Sequence, residues 1–203
     1  MDKFYNNFNQ TPTYMPETIN EEEYEKKGLY YPGTMDNEKN EYSSKYLDLR
    51  LVFPKVAIID HKIFSAREIE DFNKDSNLHS KDIPAKELKE LFVTSYSGET
   101  KMELVVWNET NPLNEDSSKI LADDLKDVIQ GIGNNFKIEK VCKEIISGQQ
   151  YTSINISGIN KSSDSPYYVQ YYVRDVKKSN VAIIIRSTNK NDMEKMLSSI
   201  KKL

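Results

Sequence analysis

The sequence predicts an α+β fold: one antiparallel sheet of about six to seven strands with three main helices packed on it. Three observations carry this. Tyr167–Arg174 and Val181–Ser187 are β-rich runs flanking the polar segment Asp175–Asn180, which reads as a hairpin. An amphipathic helix follows, with Met193, Met196, Leu197 and Ile200 on one face, Asn191 as its cap and Glu194 as the capping-box partner. Upstream, Leu91–Tyr96 and Met102–Asn108 flank the tight turn Ser97-Gly98-Glu99-Thr100, a second hairpin. A helix that follows a hairpin can cover one face of its sheet, so each such unit contributes a piece of a single core.

The 203 residues are 37% hydrophobic and 30% charged, which suffices for one domain. Residues 1–41 are rich in Asn, Glu, Tyr and Pro and lack periodicity. They are expected to form a flexible polar arm or stalk, because so polar a segment buries too little to offset its ordering entropy. Its aromatic residues, among them Tyr30 and Tyr31, leave open an arm lying on the domain. Residues 42–203 form the single α+β domain. Within it, Leu47, Leu49, Leu51 and Phe53 alternate along a strand that Pro54 ends, and Val56–Ile59 continues extended. Ser65 caps a helix over Ala66–Lys74, Glu68 completes its capping box, and Phe64 staples against Ile69. Pro84 opens a short helical turn carrying Leu88. Ser117 or Asp116 caps a helix running to Gly131. Phe136–Ile146 and Gln150–Ser157 are strands joined at Gly148, with Phe136, Ile138 and Val141 inward. The order is β-α-ββ-α-ββ-ββ-α.

Composition excludes several functions. Net charge is −4 and lysines are interspersed with acids, so no basic stripe exists to neutralise phosphates, and nucleic acid is not an expected partner. No apolar run approaches the length of a membrane-spanning helix. Cys142 is the only cysteine, which rules out an internal disulfide, and His61 and His79 with one thiol do not make a zinc site. No metal or other cofactor is expected.

The catalytic inventory is thin. Nucleophile-elbow, Walker, His-Glu-x-x-His and EF-hand patterns are all missing from the sequence. Gly131-Ile132-Gly133 follows a helix and reads as its stop. Asp60-His61 reads as a surface pair and Cys142 as a buried thiol. The acidic runs Glu21-Glu22-Glu23, Glu115-Asp116 and Asp123-Asp124 suit helix N-termini, where the dipole favours carboxylates. The tyrosine strand is the one surface of interest. Alternation sets Tyr167, Val169, Tyr171 and Val173 on a core face, and Tyr168, Gln170, Tyr172 and Arg174 on the other. Tyr168, Tyr172 and Arg174, with Arg186 from the partner strand, are the candidate binding residues, a composition suited to a protein or glycan partner. No catalytic residues are assigned.

Gly33–Pro54, GTMDNEKNEYSSKYLDLRLVFP, followed by the Ser-capped helix, resembles an uncharacterised family of exported proteins in Gram-positive bacteria. Further points of resemblance are YSGETKMELVVWNE, the helix near Ser118–Gln130, ISGQQYTSI, and YYVQYYV with the helix after it. Lys55-Val56 stands where that family usually has Gly-Trp. The family is similar in fold to the PsbP-like sandwich of the extrinsic photosystem II subunit, so the resemblance implies a PsbP-like α/β/α sandwich. It also implies an extracytoplasmic address, secreted or membrane-anchored, with any anchor expected upstream of Met1. The resulting expectation is a non-catalytic binding or scaffolding domain of the bacterial envelope. The alternative is a hydrolase-type enzyme whose site assembles from distant residues.

Overall fold

The computed structural model describes residues 19–74, 86–95, 97–108, 135–160 and 164–203. In chain order the elements are α1 (Glu21–Lys27), β1 (Thr34–Asp36), β2 (Glu41–Ser44), β3 (Leu49–Val52), β4 (Ile58–His61), α2 (Ala66–Lys74), β5 (Glu87–Thr94), β6 (Thr100–Trp107), β7 (Asn135–Ile146), β8 (Gln149–Asn160), β9 (Ser165–Val176), β10 (Ser179–Ser187), α3 (Lys190–Leu197) and β11 (Ile200–Lys201). Among the described residues two sheets form, one of four strands ordered β1-β2-β3-β11 and one of seven ordered β4-β5-β6-β10-β9-β8-β7, with every pairing antiparallel. The α+β class and a seven-stranded antiparallel sheet are as expected. The second sheet is new. The helix expected at 117–130 lies outside the described residues.

Short turns set the register. Ser147 and Gly148 both take positive φ between β7 and β8, the two-residue geometry whose twist matches the flanking strands. Between β5 and β6 the backbone N–H of Ser95 donates to the Thr100 carbonyl, and Gly98 supplies φ 76°. Where one long strand over Tyr46–Phe53 was expected, Asp48 at φ 46° breaks the chain, so β2 and β3 form a hairpin instead. Leu47, Leu49, Leu51 and Phe53 are buried all the same. Leu88 belongs to strand β5 and not to a helical turn.

The core lies between the two sheets. Tyr42, Leu49 and Leu51 from the smaller sheet share one cluster with Leu91, Met102, Leu104, Ile183 and Ile185 from the larger, and Ile69, Phe72, Met193 and Met196 from the helices close it. Helix α2 starts as its sequence dictates: the Glu68 N–H donates to Ser65 Oγ at 3.3 Å and the Ser65 N–H to the Glu68 carboxylate at 2.8 Å. Helix α3 is capped by Asn189, two residues before the expected Asn191, through a 2.9 Å bond from the Asn191 N–H. Ile200, expected on the helix, is instead in β11 opposite Leu51. The larger sheet carries a second cluster on its other face, formed by Val105, Ile154, Ile156, Val169, Val173, Ala182 and Ile184. Strand β10 is therefore buried on both faces. Val141, expected inward, is 42% exposed on β7.

Residues 19–41 correct the expected domain boundary. They are part of the fold, and the α+β unit extends upstream of Tyr42. Asn20 caps α1, Gly28 ends it at φ 64°, and the chain then enters the core, where Tyr30 is 1% and Tyr31 2% exposed. The physical reason is aromatic content. Burial of these two rings offsets the cost of ordering the polar residues around them, and Asn73 of α2 clamps the Tyr30 backbone through reciprocal 2.8 Å bonds.

Candidate functional site

The tyrosine strand divides otherwise than alternation alone suggested. Tyr172 is 1% exposed and belongs to the inter-sheet core, edge-on to Tyr151 with ring centroids 6.4 Å apart. Tyr167 and Tyr171, expected in the core, are half-buried on the opposite face. The inversion arises because the face carrying Tyr172 is the one covered by the second sheet and α3. Arg174 lies on that same face but turns to the Leu47 carbonyl, with its guanidinium 5.3 Å from the Tyr151 ring centroid. Arg186 stands opposite Val169, so it projects from the other face, where it pairs with Glu103. Tyr168, Tyr172, Arg174 and Arg186 are thus not one surface. Of the four, Tyr168 lines a cleft.

Around Tyr168 the structure does form a concavity. One cleft of about 570 Å³ is lined from β7 by Glu139 and Lys140, from β8 by Asn155 and Ser157, from β9 by Tyr168 and Gln170, and from α3 by Lys190, Met193 and Glu194. A neighbouring cleft of about 520 Å³ shares Ser157 and Tyr168 and extends to Phe136, Ile159 and Pro166. Both fall within the usual range for ligand pockets. Each side chain is placed by register: Ser157 lies opposite Tyr168 and Asn155 opposite Gln170 across the β8–β9 ladder, while the bulge between Ile138 and Lys140 re-aims Glu139. Lys190, at the start of α3, holds its ammonium 5.0 Å from the Tyr168 ring centroid. The Ser157 hydroxyl and Lys137 ammonium beside Glu139 hold its carboxyl below the usual carboxylate range.

A second constellation was not singled out from the sequence. Glu90, 0% exposed, sits at the bulge between Lys89 and Leu91 of β5, which turns both Glu90 and Leu91 inward. Its carboxylate accepts from the Tyr30 hydroxyl at 2.8 Å, from the Tyr42 hydroxyl and from the Gly33 backbone N–H. Gly33 is required by space: a Cβ there would lie 2.5 Å from the Tyr42 ring and the Ser43 carbonyl. The His61 ring is 5.8 Å from that of Tyr42, and burial lowers its pKa. His61 is therefore half-buried beside this cluster and not half of a surface pair with Asp60. Burial pushes Glu90 above its ordinary value of 4.5, and the bonds from Tyr42, Gly33 and Tyr30 pull it partly back. A group whose folded pKa is raised stabilises fully below the unfolded value, and that contribution is lost as pH rises through the folded one. Wild type is accordingly expected to gain stability over Glu90→Gln as pH falls from neutral toward about 4.5. Denaturant midpoints across this range check it. His61, whose shift acts in the opposite sense, is common to both proteins and cancels.

Among the described residues no group of three His, Cys, Asp or Glu side chains is placed to hold a metal, and no helix is long and apolar enough to cross a membrane. Cys142 is half-buried, its thiol bonded to Glu144 at 3.2 Å.

What these features define is a two-sheet α+β domain with an internal acid cluster and an open, mixed-polarity cleft at one end of its larger sheet. No protein-family model and no curated protein matches the chain. Among solved structures it is similar to cyanobacterial PsbP (CyanoP) from Synechocystis sp. PCC 6803, at 10% identity and TM-score 0.49, over 80% of this chain and 91% of that one. It is also similar to the type VI secretion immunity protein TplEi from Pseudomonas aeruginosa, at 10% identity and TM-score 0.40, over 86% of this chain and 76% of that one. The fold class itself rests on the sheet order and register given above.

Proposed function

We propose that this protein is a non-catalytic binding domain whose ligand lies across Tyr168. The observation that carries the reading is the pair of clefts that meet at that ring, one floored by side-chain amides and the other walled by Phe136, Ile159 and Pro166. Hydrolysis is the poorer reading of the same residues. A general acid needs a raised pKa at the cleft, whereas Glu139 is held low there and Glu90, whose pKa is raised, is sealed inside the core. The partner is a protein segment or a glycan, and the resemblance of Gly33–Pro54 to exported Gram-positive proteins supports an envelope address.

Fragment mapping by amide and tyrosine-ring chemical shifts tests the site. Small polar aromatic and amide fragments are expected to collect at Ser157, Tyr168, Gln170 and Lys190. Collection at another surface, or nowhere, overturns the assignment. Fractionation of cells expressing the natural gene tests the address, and recovery in the cytosol alone contradicts it.

A further inference from the structure

We infer that the Tyr168 cleft takes a neutral glycan bearing acylamino groups, whose acyl carbonyl accepts from the side-chain amides of Asn155 and Gln170. This rests on the binding-cleft reading and gives it a ligand chemistry. Asn155 and Gln170 face each other directly on β8 and β9. The Ser153 hydroxyl donates to Asn155 Oδ1 at 3.1 Å, and the Tyr172 hydroxyl donates to Gln170 Oε1 at 2.8 Å. With each amide oxygen occupied by a hydroxyl beneath it, the two NH₂ groups turn the other way, as adjacent donors lining the cleft. Tyr172 remains a donor at any ordinary pH, since burial pushes its phenol far up. The buried tyrosine is thus a positioning residue for Gln170.

Three further features select the ligand. Charge at the cleft is balanced, Lys140 and Lys190 against Glu139 and Glu194, which favours a neutral molecule. The floor strands β8 and β9 are internal, each paired on both sides, so a ligand seated on the floor meets side chains and not open backbone, while the sheet's edge strand β7 forms one rim. Recognition must run through side chains, and this set supplies both amide donors and carboxylate acceptors, which ligand hydroxyls need together. Tyr168 adds an aromatic surface on which the apolar face of a sugar ring can pack.

The test is calorimetric titration with chitotetraose, the tetramer of β-1,4-linked N-acetylglucosamine, against cellotetraose, which lacks the acetamido groups. Saturable chitotetraose binding is expected, with cellotetraose weaker by about tenfold or more. Gln170→Glu and Asn155→Asp keep an acceptor for the hydroxyl beneath and replace the NH₂ donor by a carboxylate oxygen, so each is expected to weaken chitotetraose about tenfold while the fold is retained. Chitotetraose binding no better than cellotetraose, or unaffected by both variants, overturns the inference. If fragments nevertheless collect at Tyr168, the glycan assignment alone has failed. If they collect elsewhere, the binding-cleft reading has failed with it.

Discussion

Glu90→Ala is expected to destabilise the protein by about 3 kcal/mol or more. The substitution removes one acceptor from three donors, the buried Tyr30 and Tyr42 hydroxyls and the part-buried Gly33 N–H. A buried donor left unsatisfied costs roughly 1–3 kcal/mol, and three share this one carboxylate. Removing a desolvated charge offsets part of that loss, which keeps the total below the simple sum. Against a typical stability of about 5–15 kcal/mol the effect is large. It should also be local in origin. Because Gly33 and Tyr30 belong to the segment entering from α1, protease cleavage in that segment should accelerate in the variant before global unfolding does. Denaturant midpoint and limited proteolysis measure the two effects, and an unchanged midpoint would mean the cluster is not a fastening.

Tyr172→Ala is expected to cost about 3–5 kcal/mol, the range for truncating a buried aromatic. The ring is 1% exposed beneath the second sheet, and its loss leaves a cavity and removes the hydroxyl bonded to Gln170 Oε1. Tyr171→Ala should cost less by about 1 kcal/mol or more, since that ring is only half-buried. This ranking reverses the one that alternation suggests with a single covered face. Equal losses at the two positions would contradict the burial difference.

The reversal indicates what the sequence could convey. Local signals were legible: the Ser65–Glu68 capping box, the turns at Gly98 and Gly148, and the final hairpin and helix are where their residues placed them, because each depends on neighbours a few positions away. Alternation correctly separated Tyr168 and Tyr172 from Tyr167 and Tyr171. It could not say which side the remaining chain covers, since that is decided by β1–β3, more than a hundred residues upstream. One sign of two-sided burial was present in Val181–Ile185, an unbroken apolar run with no polar alternation. Arg186 falls on the face opposite Tyr168 because cross-strand register fixes the side, and one residue of register exchanges them. Glu90 was hidden by its bulge. In a regular strand beside Leu91 it would point outward, and only the extra residue turns it in. The segment around Tyr30 has the average polarity of an arm, and its two aromatic anchors outweigh that average.

The most direct test compares wild type with Tyr168→Ala in fragment mapping and in thermal melting together. Tyr168 is half-buried at the rim, so its truncation should cost only about 1 kcal/mol. The account predicts that fragment-induced shifts at Ser157, Gln170 and Lys190 are lost in the variant while the melting temperature falls by a few degrees at most. Undiminished shifts in the variant, or their loss only together with the folded state, would contradict a binding site centred on Tyr168.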